Sequence, residues 1–166
     1  MKAFDPTRVR LHLIGHSAGA IVHSYIANAL VKGGWRFKTI NFMAPAVTVE
    51  TFKDCVLPHL KSGKVEWYNQ FYLTDEMEQK DPTCRPIFGY GRSLLYLVSE
   101  SFEHGVRTPI LGIEKYFEND RQIQGAKNRI NSWAVPTAES ASTTNGGFDD
   151  DEKRMKTIIK LMKDAQ

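Results

Sequence analysis

The residues best placed to do chemistry are Gly15-His16-Ser17-Ala18-Gly19. A serine hydroxyl becomes a nucleophile when a base takes its proton and hydrogen-bond donors wait for the charge that develops on the attacked carbonyl. A Gly-x-Ser-x-Gly pentapeptide suits that task where it joins a strand to a helix. The serine then sits on a sharp, strained turn, and residues two before and two after it must lack bulk. The flanks supply this setting. Val9, Leu11 and Leu13 alternate with Arg8, Arg10 and His12 at the period of a strand running to Ile14. From Ala18 to Lys32, Ile21, Val22, Tyr25, Ile26, Ala29 and Leu30 recur at helical spacing, and Gly33-Gly34 supplies a stop. Ser17 is therefore the candidate nucleophile, Gly15 and Gly19 are its small flanking residues, and the Ala18 backbone N–H is a natural oxyanion donor. The plain alternative is a glycine-rich helix start that Ser17 merely caps. His16 points away from Ser17 at such a turn and reads as a structural neighbour. His12 and His23 read as packed or exposed side chains of the strand and the helix.

Further elements must frame that turn. Phe37 to Met43 reads as a second strand, Val49 to Leu57 as a helix capped by Thr48, Lys64 to Leu73 as a third strand and Asn128 to Val135 as a fourth. Thr74 to Tyr90, polar and punctuated by Pro82, Pro86 and Gly89, reads as a long loop with little regular structure. Leu94, Leu95, Leu97, Val98 and Phe102 give another helix. Residues 136–150, rich in Ser, Thr, Ala and Gly, read as a flexible loop. Asp149, Asp150 and Asp151 then open a last helix with Met155, Ile158, Ile159 and Met162 inward. This alternation predicts an α/β fold, a mostly parallel sheet of about four strands flanked by helices.

Composition narrows the function classes. The 166 residues suit one domain, and 22 basic against 19 acidic residues, spread evenly, leave no tract for nucleic acid. No apolar run is long enough to span a bilayer, and Met1 to Pro6 lacks signal-peptide features, so a cytoplasmic location is expected. Cys55 and Cys84 lack metal-site or redox-pair spacing. The triplet Asp149 to Asp151 complements a helix dipole without needing a metal, and no cofactor is expected. Trp35, Trp67 and Trp133 are too scattered to form a substrate platform.

The pentapeptide, with Asn41-Phe42-Met43-Ala44-Pro45, Tyr72-Leu73-Thr74-Asp75, Ser93-Leu94-Leu95-Tyr96-Leu97-Val98 and Gly146-Gly147-Phe148-Asp149, resembles the α/β-hydrolase superfamily. The closest resemblance is to a bacterial group with a Gly-His-Ser-Ala-Gly elbow. It runs from about Val9 to the end and corresponds to the C-terminal half of that fold, so residues 1–166 would form a single partial domain. It implies esterase- or lipase-like acyl transfer on a small acyl substrate through an acyl-serine. In that fold the acid follows the strand two beyond the elbow, which selects Asp75, with Glu78 and Asp81 as alternatives.

The resemblance also places the catalytic histidine before the last helix, within Thr-His-Gly-Gly-Phe-Asp. Here that stretch reads Thr144-Asn145-Gly146-Gly147-Phe148-Asp149, so Asn145 holds the position. An amide can hydrogen-bond there but cannot accept a proton at neutral pH, so the implied hydrolase is impaired. His104 or His16 would be a substitute base, and a non-catalytic binding or scaffolding module is the competing expectation. Without the family's first four strands, the elbow strand becomes an open sheet edge, and self-association through it is expected.

Overall fold

The computed structural model describes residues 9–81, 91–102, 106–144, 146–148 and 150–165. Four strands, β1 (Leu11–His16), β2 (Phe37–Met43), β3 (Val65–Leu73) and β4 (Ile130–Val135), form one sheet in the order β1-β2-β3-β4 with every neighbouring pair parallel. Parallel neighbours need crossovers, and helices supply them. Between β1 and β2 runs α1 (Gly19–Lys32); between β2 and β3 run α2 (Val49–Cys55) and α3 (Leu57–Lys61). The long β3–β4 connection carries α4 (Asp75–Lys80), α5 (Leu94–Leu97) with a π-helical continuation Val98–Phe102, α6 (Glu114–Glu118) and α7 (Arg121–Gln124). The final helix is α8 (Glu152–Asp164). The fold is α/β, as the alternation predicts.

The two sheet faces build separate cores. Ile40, Phe42, Tyr68 and Tyr72 meet Ala20, Ala27, Phe52 and Phe117 on one face. Met43, Phe71, Leu73 and Val135 meet Leu95, Phe148 and Ile158 on the other. Asn41, Asn69 and Asn131 stand in register on neighbouring strands. Their amides form a ladder, Asn69 Nδ2 donating to Asn41 Oδ1 at 2.7 Å and Asn131 Nδ2 to Asn69 Oδ1 at 2.9 Å. The buried amides of Asn41 and Asn69 and the half-buried amide of Asn131 thus satisfy one another, and a slip of one residue would strand all three.

Several expectations change. Asp75–Lys80, read as loop, is helical. Thr74 caps it by accepting from the Met77 N–H, and Asp75, Glu76 and Glu78 crowd the first turn, where the helix dipole favours negative charge. Pro82, Pro86 and Gly89 lie outside the described residues. The helix capped by Thr48 ends at Cys55, and α3 begins anew at Leu57 with Pro58 in its first turn. Helices α6 and α7, of five and four residues, are too short to show an apolar period in the sequence. In α8, Ile159 is exposed, and the inward residue beside Ile158 is Arg154.

Helix α1 departs most from an ordinary amphipathic helix. Its sheet-facing residues are the small Ala20, Ser24 and Ala27, while Val22, Tyr25, Ile26 and Ala29 are exposed. The elbow explains the inversion. A helix leaving a strand through so tight a turn lies close on the sheet, and only small side chains fit beneath it.

Candidate active site

The turn between β1 and α1 is tight and holds Ser17 in a strained backbone conformation. Ser17 adopts φ 50°, in the left-handed region that a side chain occupies at a cost of about 1–3 kcal/mol. Backbone bonds hold it there: the Ser17 N–H donates to Met43 O at 3.0 Å, and Ser17 O accepts from the Ala20 and Ala46 N–H groups at 3.1 and 3.0 Å. Ala44, opposite on the β2 exit, also has positive φ, 40°.

The two glycines differ. A Cβ on Gly15 would lie 2.9 Å from His23 Nδ1 and 3.2 Å from Ala20 N, so this position admits no side chain without a shift. A Cβ on Gly19 would meet nothing within 4 Å. The expected exclusion of bulk therefore holds before the serine and not after it. Ala18 is the helical cap residue, and its carbonyl accepts from Ile21 N–H at 3.0 Å. Its own N–H has no protein acceptor among the described residues, as an oxyanion donor requires.

No described histidine hydrogen-bonds to Ser17. The His16 ring lies 6.1 Å from that of Phe148, His12 Nδ1 pairs with Thr39 Oγ1 at 2.8 Å, and His59 Nε2 with Asn28 Oδ1 at 2.9 Å. Burial holds the His12 and His59 rings below the usual imidazole range. His23 packs against Gly15, and its Nδ1 has no partner. His104, Asn145 and Cys84 lie outside the described residues.

Described residues on either side of position 145 approach both β1 and α4. Phe148 meets His16, next to Ser17. Thr143 and Thr144 share an open cavity of about 600 Å³ with Thr74, Met77 and Asp81. Buried Arg154 ties this corner together, its guanidinium 5.6 Å from the Phe148 ring centroid and Nη1 donating to Met43 Sδ on the strand end that holds Ser17. Arg154 carried no signal in the sequence, where it reads as an exposed charge of a polar helix.

Asp75 opens α4 directly after β3, with its N–H donating to Glu114 Oε2 at 2.7 Å. Its carboxylate is already engaged: Tyr96 OH donates to Oδ1, Gln79 Nε2 to Oδ2 at 2.7 Å, and Lys115 Nζ lies 3.9 Å from Oδ1. Lys115 also donates to Tyr96 OH at 2.6 Å. Burial, then the Asp75 carboxylate, push the Tyr96 phenol well above its usual range. Tyr96 belongs to the Ser93–Val98 stretch that the sequence marked, but its partnership with Asp75 spans 21 residues and left no local trace.

The other two acids behave differently from one another. Asp81 is buried and borders the cavity. Glu78 is fully buried, and burial, opposed by the Ser93 hydroxyl and aided by Asp81 and Asp75, pushes its pKa to about 8. It is therefore mostly protonated at neutral pH. Among the described residues, no group of three or more His, Cys, Asp or Glu is arranged to hold a metal ion, and no helix is long and apolar enough to cross a membrane. No protein-family model, curated protein or solved structure matches the chain.

Proposed function

We propose that this chain is a serine-hydrolase module of the α/β-hydrolase type, corresponding to the C-terminal half of that fold, that acts on small acyl esters with impaired turnover. The observation that carries the proposal is Ser17 itself, a non-glycine residue held at φ 50° between a parallel strand and a helix, with the free Ala18 N–H beside it. Local strain of this kind persists only where surrounding structure enforces it, and it clusters at functional turns.

In this mechanism Ser17 Oγ attacks the ester carbonyl carbon and its proton passes to a solvent water. The carbonyl oxygen takes the negative charge toward the Ala18 N–H, the C–O bond breaks, and the alcohol leaves with a proton. Water then hydrolyses the acyl-serine. Asp75 is the orienting acid, and the base position is Asn145, whose amide accepts no proton at neutral pH; slow turnover follows. The buried free thiol of Cys55 suits a cytoplasmic setting. The chain also self-associates through the open edge of β1.

One observation favours a second function, acyl binding without turnover: the Asp75 carboxylate is committed to Tyr96, Gln79 and Lys115. A fluorophosphonate probe separates the two. Slow covalent labelling of the wild-type chain that disappears in Ser17→Ala is expected for a nucleophile, whereas an unlabelled wild type leaves the binding module.

A further inference from the structure

Among the described residues, β1 pairs with β2 alone, so its outer backbone groups have no strand partner. Helix α1 carries one charged residue, Lys32, in fourteen. A helix apolar on all sides belongs in an interior, yet this one shows Tyr25 and Ile26 at 56% and 39% exposure. Its sides are fixed by their contacts. Ala20, Ser24 and Ala27 face the sheet, and Asn28 faces α2 and α3 through Cys55 and His59. At about 100° per residue, the side opposite Asn28 carries Gly19, His23, Ile26 and Leu30, a ridge spaced four, three and four residues apart on the flank next to the open edge of β1. No Cβ contact would oppose Gly19, so the ridge is open at this end.

We propose that this edge is a two-fold interface with a second copy of the chain, in which β1 pairs antiparallel with β1 and the Gly19–His23–Ile26–Leu30 ridge packs against its symmetry mate. This rests on the self-association proposed above and specifies its geometry. Three features favour a second copy. First, strands stand about 4.8 Å apart, so a two-fold axis normal to the sheet passes about 2.4 Å outside β1. Helix α1 packs on both β1 and β2. Its axis then lies about 5 Å from the two-fold, and the two copies of α1 come about 10 Å apart, the separation of packed helices.

Second, the charges do not oppose one another. Arg10 and Lys32 both lie at the end of the edge away from the elbow, because α1 returns antiparallel to β1. The two-fold sets that end against the uncharged elbow end of the other copy. Third, the lengths match: six strand residues and fourteen helical residues each extend about 20 Å. A strand-plus-helix edge of that length removes on the order of 400 Å² from each copy, which places the dimer at the weak, reversible end of specific interfaces.

Sedimentation velocity from about 5 to about 500 µM spans the affinity of such an interface. The expected weight-average mass rises from the 18.9 kDa of one chain and levels at twice that value. Ile26→Glu, at a solvent-facing position that leaves the core intact, should hold the mass at one chain. Ile159→Glu, exposed on α8, should behave as wild type. A wild-type chain that stays monomeric throughout overturns both the dimer and the self-association behind it. A dimer indifferent to Ile26→Glu, or growth past two chains, keeps self-association and overturns this interface.

Discussion

The two sides of the candidate site are held by different forces. On the Ser17 side, position is set by backbone: the φ of Ser17, the close approach of His23 and Ala20 to Gly15, and main-chain bonds to Met43 and Ala46. On the far side, where α4 and the loop before α8 meet around the cavity, position is set by charge and side-chain hydrogen bonds. Asp151 there caps α8 through the Lys153 and Arg154 N–H groups. Its other oxygen accepts from both the hydroxyls of Ser140 and Ser142 and the N–H groups of Ala141 and Ser142. Thus the elbow side should respond to steric change and the far side to pH.

The largest effect is expected at Glu78. Its folded pKa of about 8 lies above the model-peptide value of 4.5, so the stability of its buried protonated form is full below pH 4.5 and is lost as pH rises through 8. Glu78→Met removes that loss and should stabilise the chain by about 3 kcal/mol at pH 7, flattening stability between pH 4.5 and 8. Denaturant melts across that range check it; an unchanged slope would mean that α4 is not governed by its buried carboxyl.

Asp151 should do the opposite. Despite burial, donors from Ser140, Ser142, Ala141 and Arg154 hold its pKa at about 2, below the model-peptide 3.8. Its contribution is present above pH 3.8 and disappears as pH falls through 2. Asp151→Ala should cost about 2 kcal/mol at neutral pH and nothing near pH 2. Urea melts at both pH values test the sign.

On the elbow side, Gly15→Ala should cost about 1–2 kcal/mol at any pH, because the new methyl group must displace His23 or the α1 backbone. Gly19→Ala should be neutral or stabilising by about 0.5 kcal/mol, since nothing opposes its Cβ and alanine favours the helix. Equal losses at the two glycines would erase the distinction between them.

The same division explains what the sequence disclosed. Strand periodicity, the glycine at position 15 and the cap at Thr48 are local signals, and β2 occupies Phe37–Met43 as its pattern indicates. The strand-to-helix turn was legible because it is written in five consecutive residues. The engagement of Asp75 by Tyr96 and Lys115 and the burial of Arg154 depend on residues tens of positions apart, and the sequence that offers Asp75 and Glu78 as candidate acids shows neither that engagement nor the burial that keeps Glu78 protonated. Even within α1, the apolar period identified a helix but not its direction of burial, because a tight turn demands small residues beneath the helix and leaves the large ones outside.

The central claim is that Ser17 is a formed nucleophile lacking a base at position 145. Asn145→His supplies one, and ester hydrolysis is the readout, measured in the wild type, in Asn145→His and in Asn145→His with Ser17→Ala. General-base catalysis contributes about 10²–10⁴-fold, so the single substitution should raise the rate by that order, and the added Ser17→Ala should abolish the gain. A rate unchanged by Asn145→His in a folded chain, or a gain that survives Ser17→Ala, would contradict it.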